Sequence, residues 1–132
     1  MIKRGDEVLE VFLEETTERL DSLENGLLKL EGCEDCDPNV INSIFRDAHS
    51  VKAGSNLLEL RNIEELSHKL ENILEMIRKD QLEPSEMIIT ASLESVDKLR
   101  ELIENIEASE TISIRMHTSM LEIAVQKTMG QK

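Results

Sequence analysis

Apolar residues recur at alternating spacings of three and four along most of this chain, the period of helices that bury one face. Over about 6–31 the stripe is Leu13, Thr16, Leu20, Leu23, Leu27 and Leu30, while Glu10, Glu14, Glu18 and Asp21 fall mostly off it and read as a solvated face. Gly32 supplies a stop, and a short polar loop leads to Asp37 as N-cap and Pro38 at the first helical position of a second helix. That helix spans about 38–58, with Ile41, Ile44, Ala48, Val51, Ser55 and Leu58 in its seam. Asn62 followed by Glu65 has the form of a capping pattern and opens a third helix over about 63–79, with the stripe Ile63, Leu66, Leu70, Ile73 and Ile77.

Glu83, Pro84 and Ser85 reset the chain for a fourth helix over about 85–107, whose seam is Ile89, Ser92, Val96, Leu99, Ile103 and Ile106. A less regular segment, about 111–129, places Ile112, Met116, Met120, Ile123 and Lys127 near helical spacing as an additional C-terminal helix. Four long amphipathic helices with short connections pack most simply as an antiparallel up-down bundle, so the expectation is an all-α single domain over residues 1–132.

Composition narrows the core and the partners. The chain has two Phe and no Tyr or Trp, so its interior must be built from Leu, Ile, Val and Met. With 28 acidic against 15 basic residues the formal charge is −13, which repels a polyanion and argues against nucleic acid as a partner. No apolar run approaches the roughly 18 residues of a transmembrane span, and the N-terminus lacks the apolar core of a signal peptide. The expectation is a cytoplasmic protein without direct membrane insertion, in which Cys33 and Cys36 stay reduced.

The chemistry-bearing candidate is His49 in the second helix, one residue off the seam at Ala48. That step is a rotation of about 100°, so the imidazole flanks the core; Arg46, Lys52 and Ala53 share its face. If the second and third helices are antiparallel neighbours with their hairpin tip near Leu60 and Arg61, counting back from the tip sets His49 opposite a residue near Glu71, to within about one turn. A carboxylate accepting the Nδ1 hydrogen would leave Nε2 as a nucleophile of raised basicity, and Lys52 one turn on could offset the charge of a phosphoryl group there. On spacing alone a histidine so placed is more often a packing or surface residue than a nucleophile, and the same holds for His68.

The run Phe45-Arg46-Asp47-Ala48-His49-Ser50-Val51-Lys52-Ala53-Gly54-Ser55 resembles the phosphorylation-site helix of histidine phosphotransfer domains. Phe12 to Thr16 with Leu20 to Glu31, and Leu66 to Leu74, look like the first and third helices of the N-terminal phosphotransfer domain of chemotaxis histidine kinases. The resemblance implies a phosphoacceptor at His49, an orienting carboxylate at Glu71, a supporting lysine at Lys52 and a supporting histidine at His68. It further implies a two-component relay: a histidine kinase catalytic domain donates the phosphoryl group and an aspartate of a response regulator receiver domain accepts it. ATP and Mg²⁺ then belong to those partners, and this domain needs no cofactor or metal of its own. The family usually carries glycine directly after the lysine, where this chain has Ala53.

Competing constellations are thinner. Cys33 and Cys36 form half of a structural zinc set, without a second pair. His49, His68 and Glu71 could in principle hold a metal in a helical bundle, and a purely structural interaction module is the other alternative. His117 has no acidic partner at matching spacing and reads as surface.

Overall fold

The structure, a computed structural model, describes residues 6–130; the ends of the expected 1–132 domain lie outside the described residues. Five α-helices follow in order: α1 (Glu7–Leu30), α2 (Pro38–Leu57), α3 (Arg61–Arg78), α4 (Glu86–Glu104) and α5 (Arg115–Gly130), with a 3₁₀ segment, Ile106–Thr111, between the last two. α1 packs on α2 and α4, and α3 on α2 and α4, which closes a four-helix bundle; α5 lies against α4 and α3 from outside.

Each end is stopped or started by identifiable chemistry. Asp6 accepts hydrogen bonds from the Val8 and Leu9 amides at the start of α1, Asp37 accepts from Asn39 with Pro38 at the first position of α2, and Ser85 accepts from Ile88 at the start of α4. Gly32 leaves α1 at φ +67°, a left-handed conformation that glycine adopts without steric cost. α2 and α3 end in the same way on residues with side chains, Glu59 at φ 59° and Asp80 at φ 58°. In both, paired amide-to-carbonyl bonds close the turn: Leu60 to Ser55 and Glu59 to Asn56 after α2, Gln81 to Met76 and Asp80 to Ile77 after α3.

The stripes of the first four helices meet in one core. Leu20, Leu23, Leu27, Ile44, Val51, Ile63, Leu66, Leu70, Ile89, Val96 and Leu99 are all buried. Each such side chain removed from water contributes about 1.5–3 kcal/mol, the gain that drives helices marginal in isolation to assemble. Gly26 lets α1 approach α2 closely: a Cβ built there would stand 2.1 Å from Ile44 Cγ2. Across the other side of α1, Arg100 of α4 pairs with Asp21 at 2.8 Å and with Glu24.

Four expectations change. Asn62 does not cap α3: Leu60 holds the cap position without a side-chain bond, and the Asn62 amide group instead donates to the carbonyls of Ser109 and Ile112 at 2.8 and 2.9 Å. Glu110 comes from the 3₁₀ segment to accept from the Asn62 backbone N–H, placing a carboxylate at the positive end of α3. α4 stops at Glu104 rather than running to 107. α5 begins only at Arg115 and buries Thr118, Leu121, Ala124 and Thr128, while Met116 and Ile123 of the expected stripe are exposed. Small residues win that face because they let α5 settle onto α4 and α3, and Thr128 Oγ1 meets Ser85 Oγ at 2.6 Å. Cys33 and Cys36 are not reduced thiols here: the loop turns so that their Cα atoms lie 5.3 Å apart and the sulfurs are bonded.

Candidate functional site

α2 and α3 form an antiparallel hairpin, so residues equally far from its tip meet across the interface. His49 on α2 and Glu71 on α3 are such a pair, and His49 Nδ1–H donates to Glu71 Oε2 at 2.5 Å. Lys52, one turn along α2, brings its ammonium within 2.8 Å of Glu71 Oε1. One carboxylate thus receives a donor on each oxygen, and both donors come from the same face of α2.

Burial grades this cluster from inside to outside. The side chain of Glu71 is 9% exposed, that of Lys52 25% and that of His49 55%. Burial by itself raises the Glu71 pKa, but hydrogen bonds and charge from Lys52 and His49 outweigh it and hold the carboxyl below its ordinary value of 4.5. Glu71 is therefore ionised at neutral pH and can only accept. The proton of a neutral His49 must then sit on Nδ1, and Nε2 keeps its lone pair.

The other candidates from the sequence fall differently. His68 sits on α3 three residues before Glu71 but is exposed, and among the described residues it makes no hydrogen bond, ion pair or ring contact. Among the described residues no group of three His, Cys, Asp or Glu side chains gathers as metal ligands would. Ala53 is exposed on the outer face of α2, and the small residue the packing uses is Gly54, where an added Cβ would lie 3.0 Å from the Phe12 ring. His117 is half-buried against α4 rather than on the surface.

Two features near the imidazole were not read from the sequence. Phe45, one turn before His49, stacks its ring near-parallel to the imidazole, with centroids 6.3 Å apart and planes 18° apart. The Arg78 guanidinium of α3 covers Phe45 at 4.7 Å from the ring centroid. The first could be seen as an i, i+4 aromatic pair; the second needs the register of α3 on α2. Asp47, on the side of α2 toward α1, is buried with Oδ1 3.4 Å from Arg19.

The surface grooves lie elsewhere. One of about 290 Å³ between α3 and α5 is lined by Lys69, Asn72, Met76 and Leu121, and one of about 370 Å³ between α4 and α5 by Met87, Thr90, Met120 and Ile123. Neither includes His49, whose side chain is 55% exposed. Among the described residues no helix is long and apolar enough to cross a membrane.

Fold and site together define a helical bundle that presents one tautomer-fixed imidazole on an open face. The chain belongs to the Hpt domain family, which matches residues 7–109. It is 37% identical over 97 residues to the chemotaxis protein CheA of Rhizobium meliloti, covering 74% of this chain and 13% of that protein. It is 31% identical over 122 residues to the sensor histidine kinase CheAY of Helicobacter pylori, covering 92% of this chain and 15% of that protein. The chain thus spans about a seventh of the length of these relatives. In fold it is similar to the phosphorylated P1 domain of CheA3, crystallised in complex with CheY6 from R. sphaeroides. That likeness has a TM-score of 0.80 at 22% identity, over 93% of this chain and 98% of that one.

Proposed function

We propose that residues 1–132 form a single phosphotransfer domain that carries a phosphoryl group on His49 Nε2 in a cytoplasmic chemotaxis relay. The observation that carries this reading is the hydrogen bond from Nδ1 of a half-exposed His49 to an ionised Glu71, which leaves Nε2 with its lone pair free. The names of the relatives, a chemotaxis protein and a sensor histidine kinase, and the CheY6 complex of the P1 domain support the choice of donor and acceptor.

In the first step the Nε2 lone pair attacks the γ-phosphorus of ATP held, with Mg²⁺, by a histidine kinase catalytic domain. The N–P bond forms as the bond from phosphorus to the β–γ bridging oxygen breaks, and ADP leaves with that electron pair. Positive charge develops on the ring, and the Glu71 carboxylate at Nδ1 stabilises it. Lys52 holds the other Glu71 oxygen and, one turn from His49, offsets part of the charge the phosphoryl group brings. In the second step a receiver-domain aspartate attacks the same phosphorus, the N–P bond breaks and its electron pair returns to Nε2. His68 has no step in this scheme.

The test is incubation with ATP labelled at the γ-phosphate and the catalytic domain of a chemotaxis kinase. The wild-type domain is expected to become labelled with an acid-labile, base-stable phosphoryl group and to lose it to a receiver domain; His49→Gln stays unlabelled. Equal labelling of His49→Gln would end the assignment.

A further inference from the structure

A single hydrogen bond fixes one atom of a ring and leaves the ring free to tilt about that contact. His49 is held through Nδ1, but the reacting atom is Nε2 on the far side of the imidazole, where a small tilt displaces it most. Phosphoryl transfer depends on in-line placement, and displacement of the nucleophile by a fraction of an ångström costs rate. Something beyond Glu71 must hold the plane of the ring if Nε2 is to keep one direction.

The structure supplies a second tie. Phe45 lies four residues before His49 on the same face of α2, its ring centroid 6.3 Å from the imidazole and its plane within 18° of it. That separation falls within the range in which aromatic pairs attract. Phe45 is in turn covered from α3 by the Arg78 guanidinium, at a distance where a cation is drawn to a ring face. Arg78 is anchored by Glu75, whose Oε1 accepts from Nε at 2.8 Å and from Nη2 at 2.6 Å. Arg78 follows Glu71 by seven residues, two turns along the same face of α3. The sequence Glu75, Arg78, Phe45, His49 therefore joins α3 to α2 beside the Glu71 contact.

We infer that Arg78 is a positioning residue for His49, acting through the Phe45 ring to hold the imidazole plane so that Nε2 points outward. This rests on the phosphoacceptor reading of His49. A purely local role also exists for Arg78, a cation in the last turn of α3 that complements the helix C-terminus. Its signature would be a change in stability alone.

The experiment compares Arg78→Gln, Arg78→Lys, Phe45→Leu and the double variant Arg78→Gln/Phe45→Leu with wild type. Phosphorylation by a chemotaxis kinase catalytic domain with Mg-ATP is measured to saturation in the domain. NMR relaxation of the His49 Cε1–H bond is measured in the unphosphorylated protein. Arg78→Gln and Phe45→Leu are each expected to lower kcat about 3- to 10-fold with KM changed less than twofold, and to lower the order parameter of the imidazole. The double variant should lose no more than Phe45→Leu alone, because both act along one line, and Arg78→Lys should recover at least half of the loss.

An unchanged kcat and order parameter in Arg78→Gln, or losses that multiply in the double variant, would overturn the inference. Loss of kcat confined to variants with a lowered unfolding midpoint would do the same. Should Phe45→Leu fail to fold, the contrast between Arg78→Gln and Arg78→Lys decides, since Arg78 is 40% exposed and tolerates exchange. Absence of wild-type labelling would refute the phosphoacceptor reading, and the ring order parameter still decides whether Arg78 holds the imidazole.

Discussion

Glu71→Gln tests the carboxylate at His49 Nδ1 separately from the nucleophile proposed at Nε2. In the wild type the two carboxylate oxygens receive His49 Nδ1 at 2.5 Å and Lys52 Nζ at 2.8 Å. Gln offers one acceptor oxygen of similar shape and turns an NH₂ toward the other donor, so one of the two contacts is lost and no charge remains. Hydrogen bonds to a charged group contribute about 1.5–3 kcal/mol. In the folded ground state much of this is offset, because Lys52 and His49 are exposed enough to turn to water and Gln is easier to bury than a carboxylate. The expected loss of stability is about 1 kcal/mol, a shift of roughly 3–5 °C in Tm for a domain of this size.

The transition state has no such escape. In the proposed transfer positive charge would form on a ring held against Glu71, and losing about 1.5–3 kcal/mol of stabilisation there would lower the rate about 10- to 150-fold. Rapid-quench phosphorylation by a kinase catalytic domain should show the change in kcat with KM nearly unaltered, since the buried Glu71 does not form the docking surface. Acidity supplies an independent check. The folded Glu71 pKa lies below 4.5, so its stabilising effect is complete above about pH 4.5 and disappears as pH falls through the folded value. The gap in urea stability between wild type and Glu71→Gln should hold at neutral pH and close in acid. A folded Glu71→Gln domain phosphorylated at the wild-type rate would refute the tautomer argument.

Further outcomes follow from the packing. Gly26→Ala drives a methyl against Ile44, a stiff β-branched side chain that is 1% exposed; separating α1 from α2 should cost about 1–3 kcal/mol, visible as a lower urea midpoint, and unchanged stability would contradict the close approach. Glu59→Gly relieves a left-handed residue at the end of α2 and should stabilise by about 0.5–1 kcal/mol in the same assay; a destabilised variant would mean that the Glu59 side chain holds the hairpin tip. His117 has a lowered pKa, first through burial and then through Lys98, against the opposing pull of Glu94 and Glu101. Its neutral form is the one the fold favours, so stability should fall as pH drops from about 6.5 toward the folded value, and His117→Leu should flatten that slope between pH 7 and 5.5.

Much of the bundle was legible because Leu and Ile mark its seams at helical spacing, as at Leu20, Leu23 and Leu27 or Ile63, Leu66 and Leu70. Hairpin counting brought His49 to within about a turn of Glu71, since an antiparallel pair with a short tip limits the register, and the family resemblance pointed to Glu71 itself. What escaped depended on contacts distant in sequence or on size rather than hydrophobicity. Asn62 looked like a cap because its partners, Ser109 and Ile112, lie 47 and 50 residues away. On the buried face of α5 Leu121 is the one large apolar residue, among Thr118, Ala124 and Thr128, so no apolar stripe reveals it, and the apolar Met116 and Ile123 pointed to the wrong side. Arg78 over Phe45 required knowing which side chains of α3 reach back across α2. Asp47 was missed because an acidic residue beside the seam reads as solvated, yet it is 2% exposed.

The pairing of Lys52 with Glu71 bears on how firmly such a site would grip what it carries. A lysine free to close on a phosphoryl group would tether it and slow its departure. Here the ammonium already has a counter-ion 2.8 Å away, so it would offset only part of the new anion's charge without closing on it. A phosphoryl group on the proposed acceptor atom Nε2 would extend from a side chain that is 55% exposed, held by one N–P bond. On that reading the domain would be a hand that opens easily: the acceptor would not have to strip the phosphoryl group from a cage, only reach it.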